Sequence, residues 1–261
     1  MIRIEGVTHA FNGYKALNNL SFHVEPGECF GLLGPNGAGK STLINILVTL
    51  LQPDSGAVVI NGWPLATEPA KIRSSIGVLF QDSSLDERLT AYENLYFHAM
   101  FYHVPPSEVP QRIAALLEMV GLSDRNNDLV ITFSGGMKRR LEIARSILHR
   151  PQILLLDEAT VGLDPQARRR IWDYLAELRR NRQLTVLLTT HYLEEAEICD
   201  RIAILDHGAV IACDTPARLK DVHRQKTLDD LFLHLTGRDL LDSETGELER
   251  LKATIHVRRI K

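Results

Sequence analysis

Gly34-Pro35-Asn36-Gly37-Ala38-Gly39-Lys40-Ser41 stands between the apolar run Cys29–Leu33 and a helical pattern over residues 40–51. It fits G-x-x-x-x-G-K-[ST] in the order that motif requires: strand, glycine-rich turn, helix. The glycines let backbone N–H groups wrap an anion, and the helix behind them points its positive end at the same place. In this arrangement Lys40 reaches the β- and γ-phosphates of a nucleotide, and the Ser41 hydroxyl helps to hold Mg²⁺. A glycine-rich turn that only caps a helix is the plainer alternative, and spacing and context both weigh against it.

The second element is Ile153-Leu154-Leu155-Leu156-Asp157-Glu158, an apolar strand that ends in two carboxylates. Alone it reads as a solvated strand end. Beside a phosphate cradle it reads as chemistry: Asp157 orients Mg²⁺, and Glu158 serves the attacking water as general base or positioning group.

Working outward from these two stretches, strand and helix patterns alternate from residue 28 to about 205. The continuous apolar run at 153–156 suits a strand buried on both faces of a parallel sheet, and 185–188 has a similar buried-strand pattern. Before that core, residues 2–8 and 16–24 read as strands joined by a turn at Asn12-Gly13, and residues 57–60 as another. From 90 to 122 the pattern is helical, broken at Pro105-Pro106, and Ser134-Gly135-Gly136 opens a helix to about residue 150. This helical stretch interrupts the alternation and is expected to form an inserted subdomain. After about Thr236 the chain turns charged and unpatterned, which predicts an extension of low stability.

Bulk properties exclude several classes. The 261 residues are 44% hydrophobic and 24% charged with net charge −3, so no basic field argues for nucleic acid. Arg168-Arg169-Arg170 and Arg179-Arg180 read as solvated helix faces. Cys29, Cys199 and Cys213 lie far apart without metal-ligand spacing, as expected of reduced, mostly buried thiols. The start MIRIEGVTHAF has no apolar core and is not expected to be a signal peptide. No window approaches the roughly 18 apolar residues of a spanning helix.

Phe133-Ser134-Gly135-Gly136-Met137 resembles the signature sequence of ATP-binding cassette (ABC) ATPases. The resemblance covers roughly residues 2–236 with seven ordered elements. It implies a P-loop NTPase of ABC type, an α/β fold with an N-terminal antiparallel β subdomain, a parallel-sheet core and an inserted α-helical subdomain. The implied division is an ATP-binding domain over 1–236, with about 82–150 as the insert, and a charged C-terminal extension over 237–261. Gly34, Pro35, Asn36, Gly37, Ala38, Gly39, Lys40, Ser41 and Thr42 are then the nucleotide cradle, with ATP and Mg²⁺ as its ligands. Ser134, Gly135 and Gly136 are implied to face the γ-phosphate held by a second subunit's cradle. Phe11 aligns with the aromatic that stacks on adenine, and Tyr14 is a weaker candidate. Gln81 resembles the glutamine that touches Mg²⁺ and the attacking water and joins core to insert. Asp164, in Gly162-Leu163-Asp164, resembles the loop that crosses the dimer seam, and His191 the switch histidine that bonds the γ-phosphate. The metal ligands implied are thus Ser41, Gln81 and Asp157, and the catalytic residues Glu158 and His191. Phe133 and Met137 depart from the commoner leucine and glutamine, and Asn12 stands where glycine is common.

The phrases at 190–197, 80–86 and 228–237 look like the drug- and polysaccharide-export branch, which includes daunorubicin-resistance and nodulation-type exporters of bacteria. The expectation is an ATPase that powers export through separate membrane-spanning permease subunits, paired with a second ATP-binding subunit in a homodimer. It would sit in the cytoplasm on the inner face of the membrane, and bind no nucleic acid. An importer ATPase is the nearest alternative, and a cassette acting on ribosomes or nucleic acid the other.

Overall fold

The computed structural model describes residues 2–158, 160, 163–182, 184–190 and 192–237. Ten strands, nine α-helices and two short 3-10 helices are assigned among the described residues. A four-stranded antiparallel sheet comes from the start of the chain. It contains β1 (Ile2–Phe11), β2 (Tyr14–Val24), β4 (Ser55–Ile60) and β5 (Trp63–Pro64), in the order β2-β1-β4-β5. The hairpin joining β1 and β2 pairs Phe11 with Tyr14 across Asn12-Gly13, both of which have positive φ.

The second sheet has the order β10-β9-β3-β8-β7-β6. Its strands are β3 (Cys29–Leu33), β6 (Ile76–Leu79), β7 (Ile153–Asp157), β8 (Thr185–Thr189), β9 (Arg201–Asp206) and β10 (Ala209–Asp214). All neighbours are parallel except β10, which returns antiparallel beside β9. Every residue of β3, β7 and β8 is buried. Side chains of a strand alternate in direction, and here the alternation divides two cores. Leu154 and Leu156, with Val186, Leu188, Ile202 and Ile204, pack against the helical layer. Ile153 and Leu155, with Phe30, Leu32, Leu187, Ala203 and Leu205, pack against the antiparallel sheet and the first helix. Each such side chain contributes roughly 1.5–3 kcal/mol relative to exposure, so the sheet edge that carries the site is a stiff platform.

The helices are α1 (Lys40–Leu47), α2 (Pro69–Ser75), α3 (Ala91–Phe101), α4 (Val109–Met119), α5 (Gly135–Ile147), α6 (Pro165–Arg182), α7 (Leu193–Glu197), α8 (Pro216–His223) and α9 (Leu228–Thr236). Helices α3, α4 and α5 lie between β6 and β7 in the chain, although those strands are neighbours in the sheet. They form the helical insert, whose break at Pro105-Pro106 separates α3 from α4. Thr90 starts α3 with a reciprocal capping box to Glu93. Helix α1 ends four residues before its expected limit, because Thr49 turns to φ 67°. The charged stretch over 238–261 lies outside the described residues.

Candidate nucleotide site

The cradle grows from β3. Gly34 leaves the strand so close to β9 that an added Cβ would stand 2.6 Å from Leu205 O. Gly39 has φ 104°, and a Cβ there would meet Ala16 O at 2.5 Å and Leu17 Cδ2 at 2.8 Å. The loop therefore lies directly on β2, the strand that also carries the turn between Phe11 and Tyr14. Phe11 is 44% exposed and Tyr14 58%, so both rings are open to solvent at the tip of that hairpin.

Lys40 opens α1 and is 8% exposed. Its Nζ donates to Gly34 O at 2.6 Å and Pro35 O at 3.2 Å. Burial holds its pKa below the ordinary lysine value, and the nearby Glu158 and Asp157 carboxylates oppose that shift. Asp157 ends β7, 7% exposed, and accepts a hydrogen bond from Thr189 Oγ1 at the end of β8. Burial pushes its carboxyl up; the Thr189 bond pulls it down, and Glu158 pushes it up again. Glu158 follows with φ 49°. Its N–H donates to Thr189 O at 3.2 Å and Thr189 Oγ1 at 3.1 Å. One ammonium and two carboxylates are thus gathered at the carboxyl edge of a parallel sheet, where ligands of open α/β sheets bind.

Gln81 is exposed just beyond β6, on the same edge as Asp157. Ser134 caps α5, its Oγ accepting from Met137 N at 3.3 Å, and Ser134 and Gly135 are exposed. Among the described residues no hydrogen bond or ion pair joins Ser134 to the cradle of its own chain. Asp164 is exposed and caps α6, with Oδ1 accepting from Ala167 N at 2.9 Å. That bond, above all, holds its carboxyl below the ordinary aspartate range. His191 and Gly162 lie outside the described residues.

The residues present fit a nucleotide with Mg²⁺. A desolvated lysine is turned into an amide-lined loop, and hydroxyl, carboxylate and amide oxygens are the donors a hard cation takes. Groups of three or more His, Cys, Asp or Glu able to hold a metal alone are absent among the described residues.

Sequence reasoning missed the supports of the site. Arg139, 8% exposed on α5, donates from Nη2 to Asp157 O at 3.1 Å and Glu158 O at 2.9 Å, and from Nη1 to Phe80 O. Buried Glu195 on α7 accepts from Thr190 Oγ1 at 2.6 Å, Trp172 Nε1 at 3.3 Å and Thr160 Oγ1. It ties the chain after Glu158 to the end of β8. Arg179, expected on a solvated face, instead donates to Gly27 O at 3.0 Å and to Asp200.

Fold and site together define a nucleotide-binding α/β protein of the P-loop class. Residues 17–161 match the ABC transporter family, and the chain belongs to it. It is 43% identical over 220 residues to the linearmycin resistance ATP-binding protein LnrL of Bacillus subtilis, covering 84% of this chain and 70% of that protein. It is 43% identical over 223 residues to the Nod factor export ATP-binding protein I of a Rhizobium species, covering 85% and 73%. Among solved structures it resembles an ATP-binding subunit of an ABC transporter, with TM-score 0.84 and 32% identity over 90% of this chain and 99% of that one. It also resembles a dimeric ATP-binding cassette in a post-hydrolysis state bound to ADP and Pi, with TM-score 0.76 and 31% identity over 82% and 98%.

Proposed function

We propose that the chain hydrolyses ATP to power export through separate membrane-spanning subunits. The observation that carries the reading is the meeting of Lys40, Asp157 and Glu158 at one sheet edge, with each of the three felt in the titration of its neighbours. Residues Gly34 to Thr42 wrap the phosphates, Lys40 neutralises the outer two, and Phe11 stacks on the base. Ser41, Asp157 and Gln81 would hold Mg²⁺, which when bound neutralises charge on the phosphates. Glu158 takes a proton from the attacking water or orients it, and the family resemblance assigns His191 to the outer phosphate.

Two chains complete two sites in this reading. The exposed helix N-terminus at Ser134, Gly135 and Gly136 offers N–H groups and a hydroxyl to an anion held by the partner's cradle. Asp164 lines the seam. The similarity to a dimeric cassette bound to hydrolysis products supports this arrangement. Among the described residues no helix is long and apolar enough to cross a membrane. Coupling to the bilayer therefore falls to partner subunits, on whose cytoplasmic side the chain would sit. Helix α3 supplies a surface for them: Phe97 is 53% exposed, Met100 54% and Phe101 80%. Exposed aromatics and methionine on one helix mark a docking surface. Residues 1–236 act as the ATP-binding unit, and 237–261 as an appendage to it.

Direction rests on the relatives, one of which is named for export and one for linearmycin resistance. The test is tolerance of linearmycin in cells with and without the gene. Expected is lower tolerance and higher cellular accumulation on deletion, restored by wild type and not by Glu158→Gln. Reduced accumulation on deletion would make the protein an importer ATPase instead.

A further inference from the structure

Helix α5 carries Arg139, Glu142 and Arg145 at successive three-residue steps, one stripe on its surface. That stripe grips the segment containing Gln81 at both ends. Arg139 Nη1 donates to Phe80 O, the residue before Gln81. Glu142, 3% exposed, accepts from Ser84 N at 2.8 Å, and Arg145 Nη1 donates to Ser84 O at 2.7 Å. The other arm of Arg139 reaches across to β7, where Nη2 donates to Asp157 O and Glu158 O.

The second contact falls on a strained residue. Glu158 has φ 49°, a left-handed conformation that side chains other than glycine adopt at a cost and keep only where their surroundings over-determine it. Here its N–H is held by Thr189 and its carbonyl by Arg139. Fixing the peptide units on both sides of the Glu158 Cα fixes the direction in which its side chain leaves the backbone. A planar guanidinium carries its donors on separate nitrogens, so Nη1 reaches Phe80 O while Nη2 reaches Asp157 O and Glu158 O, a spread that the single nitrogen of an ammonium does not offer.

We propose that Arg139 is a positioning residue for ATP hydrolysis: its guanidinium locks the left-handed turn at Glu158 and ties it to the Gln81 segment. The proposal rests on the reading of Glu158 as the group that acts on water. It adds a link within the chain. The N-terminus of α5 carries Ser134, Gly135 and Gly136, so a partner that engages those residues acts through the same helix on the Glu158 of this chain. Hydrolysis in one site thereby depends on occupation of the other.

The test uses the full chain with Arg139→Lys, and Arg139→Gln as the second variant should the first not fold. Both leave Lys40 and the cradle untouched. Expected is a fall in kcat of about 30- to 100-fold, the scale for a reacting group moved by up to an ångström, while the KM and Kd for MgATP stay within about threefold, as for a group that does not touch nucleotide. In a Glu158→Gln background, Arg139→Lys should leave ATP-driven dimerisation intact. A kcat per folded molecule equal to wild type, with only lowered thermal stability, overturns the proposal and leaves Arg139 a structural residue. Glu158→Gln alone separates the two claims: normal turnover in that variant refutes the underlying reading, whereas its loss beside an active Arg139→Lys refutes only the positioning role.

Discussion

Lys40→Met separates the two things Lys40 does. The lysine is buried at 8% exposure, and its ammonium is turned onto Gly34 O and Pro35 O. Methionine keeps the apolar stem and deletes the charge. For the nucleotide, a unit charge about 4 Å from a phosphate oxygen at an effective dielectric near 20 is worth about 4 kcal/mol. That converts to roughly a thousandfold in affinity, since each 1.4 kcal/mol is about a decade. For the fold without nucleotide, two charge-assisted hydrogen bonds disappear, at roughly 1.5–3 kcal/mol each. Against that, the variant no longer buries an ammonium, whose desolvation costs several kcal/mol or roughly the same sum. The depressed lysine pKa has this desolvation as its leading cause. Net stability should therefore change by less than about 2 kcal/mol, or under about 8 °C in Tm. Calorimetric titration with MgATP and thermal unfolding without nucleotide read the two effects separately. ATP affinity within tenfold of wild type would refute the cradle assignment. A lost binding accompanied by collapse of the nucleotide-free fold would show that Lys40 is a structural residue first.

Acid should destabilise the helical insert. Burial pushes His98 down to about 3 and His149 down to about 4. Both folded values lie below the unfolded value near 6.5, so the unfolded chain binds more protons and stability falls as pH drops below that point. At pH 5 each histidine costs roughly 2 kcal/mol, and urea unfolding that is flat between pH 7 and 5 would contradict this. Gly39→Ala places a Cβ on Ala16 O at φ 104° and should cost roughly 2–5 kcal/mol by strain and overpacking. Denaturation midpoints check it, and wild-type stability would mean the loop is free to move off β2. Phe133→Leu should leave ATP turnover within a few-fold of wild type. It should cost roughly 1–2 kcal/mol, because a buried ring 5.7 Å from the Arg125 guanidinium is exchanged for a smaller apolar group. Loss of turnover comparable to Ser134→Arg would give Phe133 a direct role.

What the sequence makes legible is local. The run Ile153–Asp157 is apolar at every position before its carboxylate, a pattern that suits a strand covered on both faces. Ser134 opens α5 because serine before two glycines both caps a helix and leaves its N-terminus bare. The supports of the site are different in kind. Arg139 reads as one member of a basic run, and its value comes from Phe80, 59 residues earlier, and Glu158, 19 residues later. Glu195 sits in an acidic run yet is buried among Thr160, Trp172 and Thr190. Arg179 looks solvated on its helix until β3 brings Gly27 alongside. Such contacts depend on which elements the sheet order makes neighbours, and no periodicity along the chain encodes them. The end of α1 is a smaller case, set by the left-handed turn at Thr49 and not by the apolar pattern that runs on past it.

The central claim is that two chains close on ATP and that hydrolysis reopens them. Glu158→Gln keeps the size of the side chain and removes the carboxylate proposed to act on water, so ATP should bind through Lys40, Ser41, Asp157 and Gln81 and the closed state should persist. Light scattering of this variant measures the mass directly. The account predicts a monomer without nucleotide, a dimer with MgATP and a monomer again with ADP, and no dimer once Ser134→Arg is added. A Glu158→Gln protein that binds ATP tightly and stays monomeric at high concentration, alone and when co-expressed with its membrane-spanning partner, would contradict it.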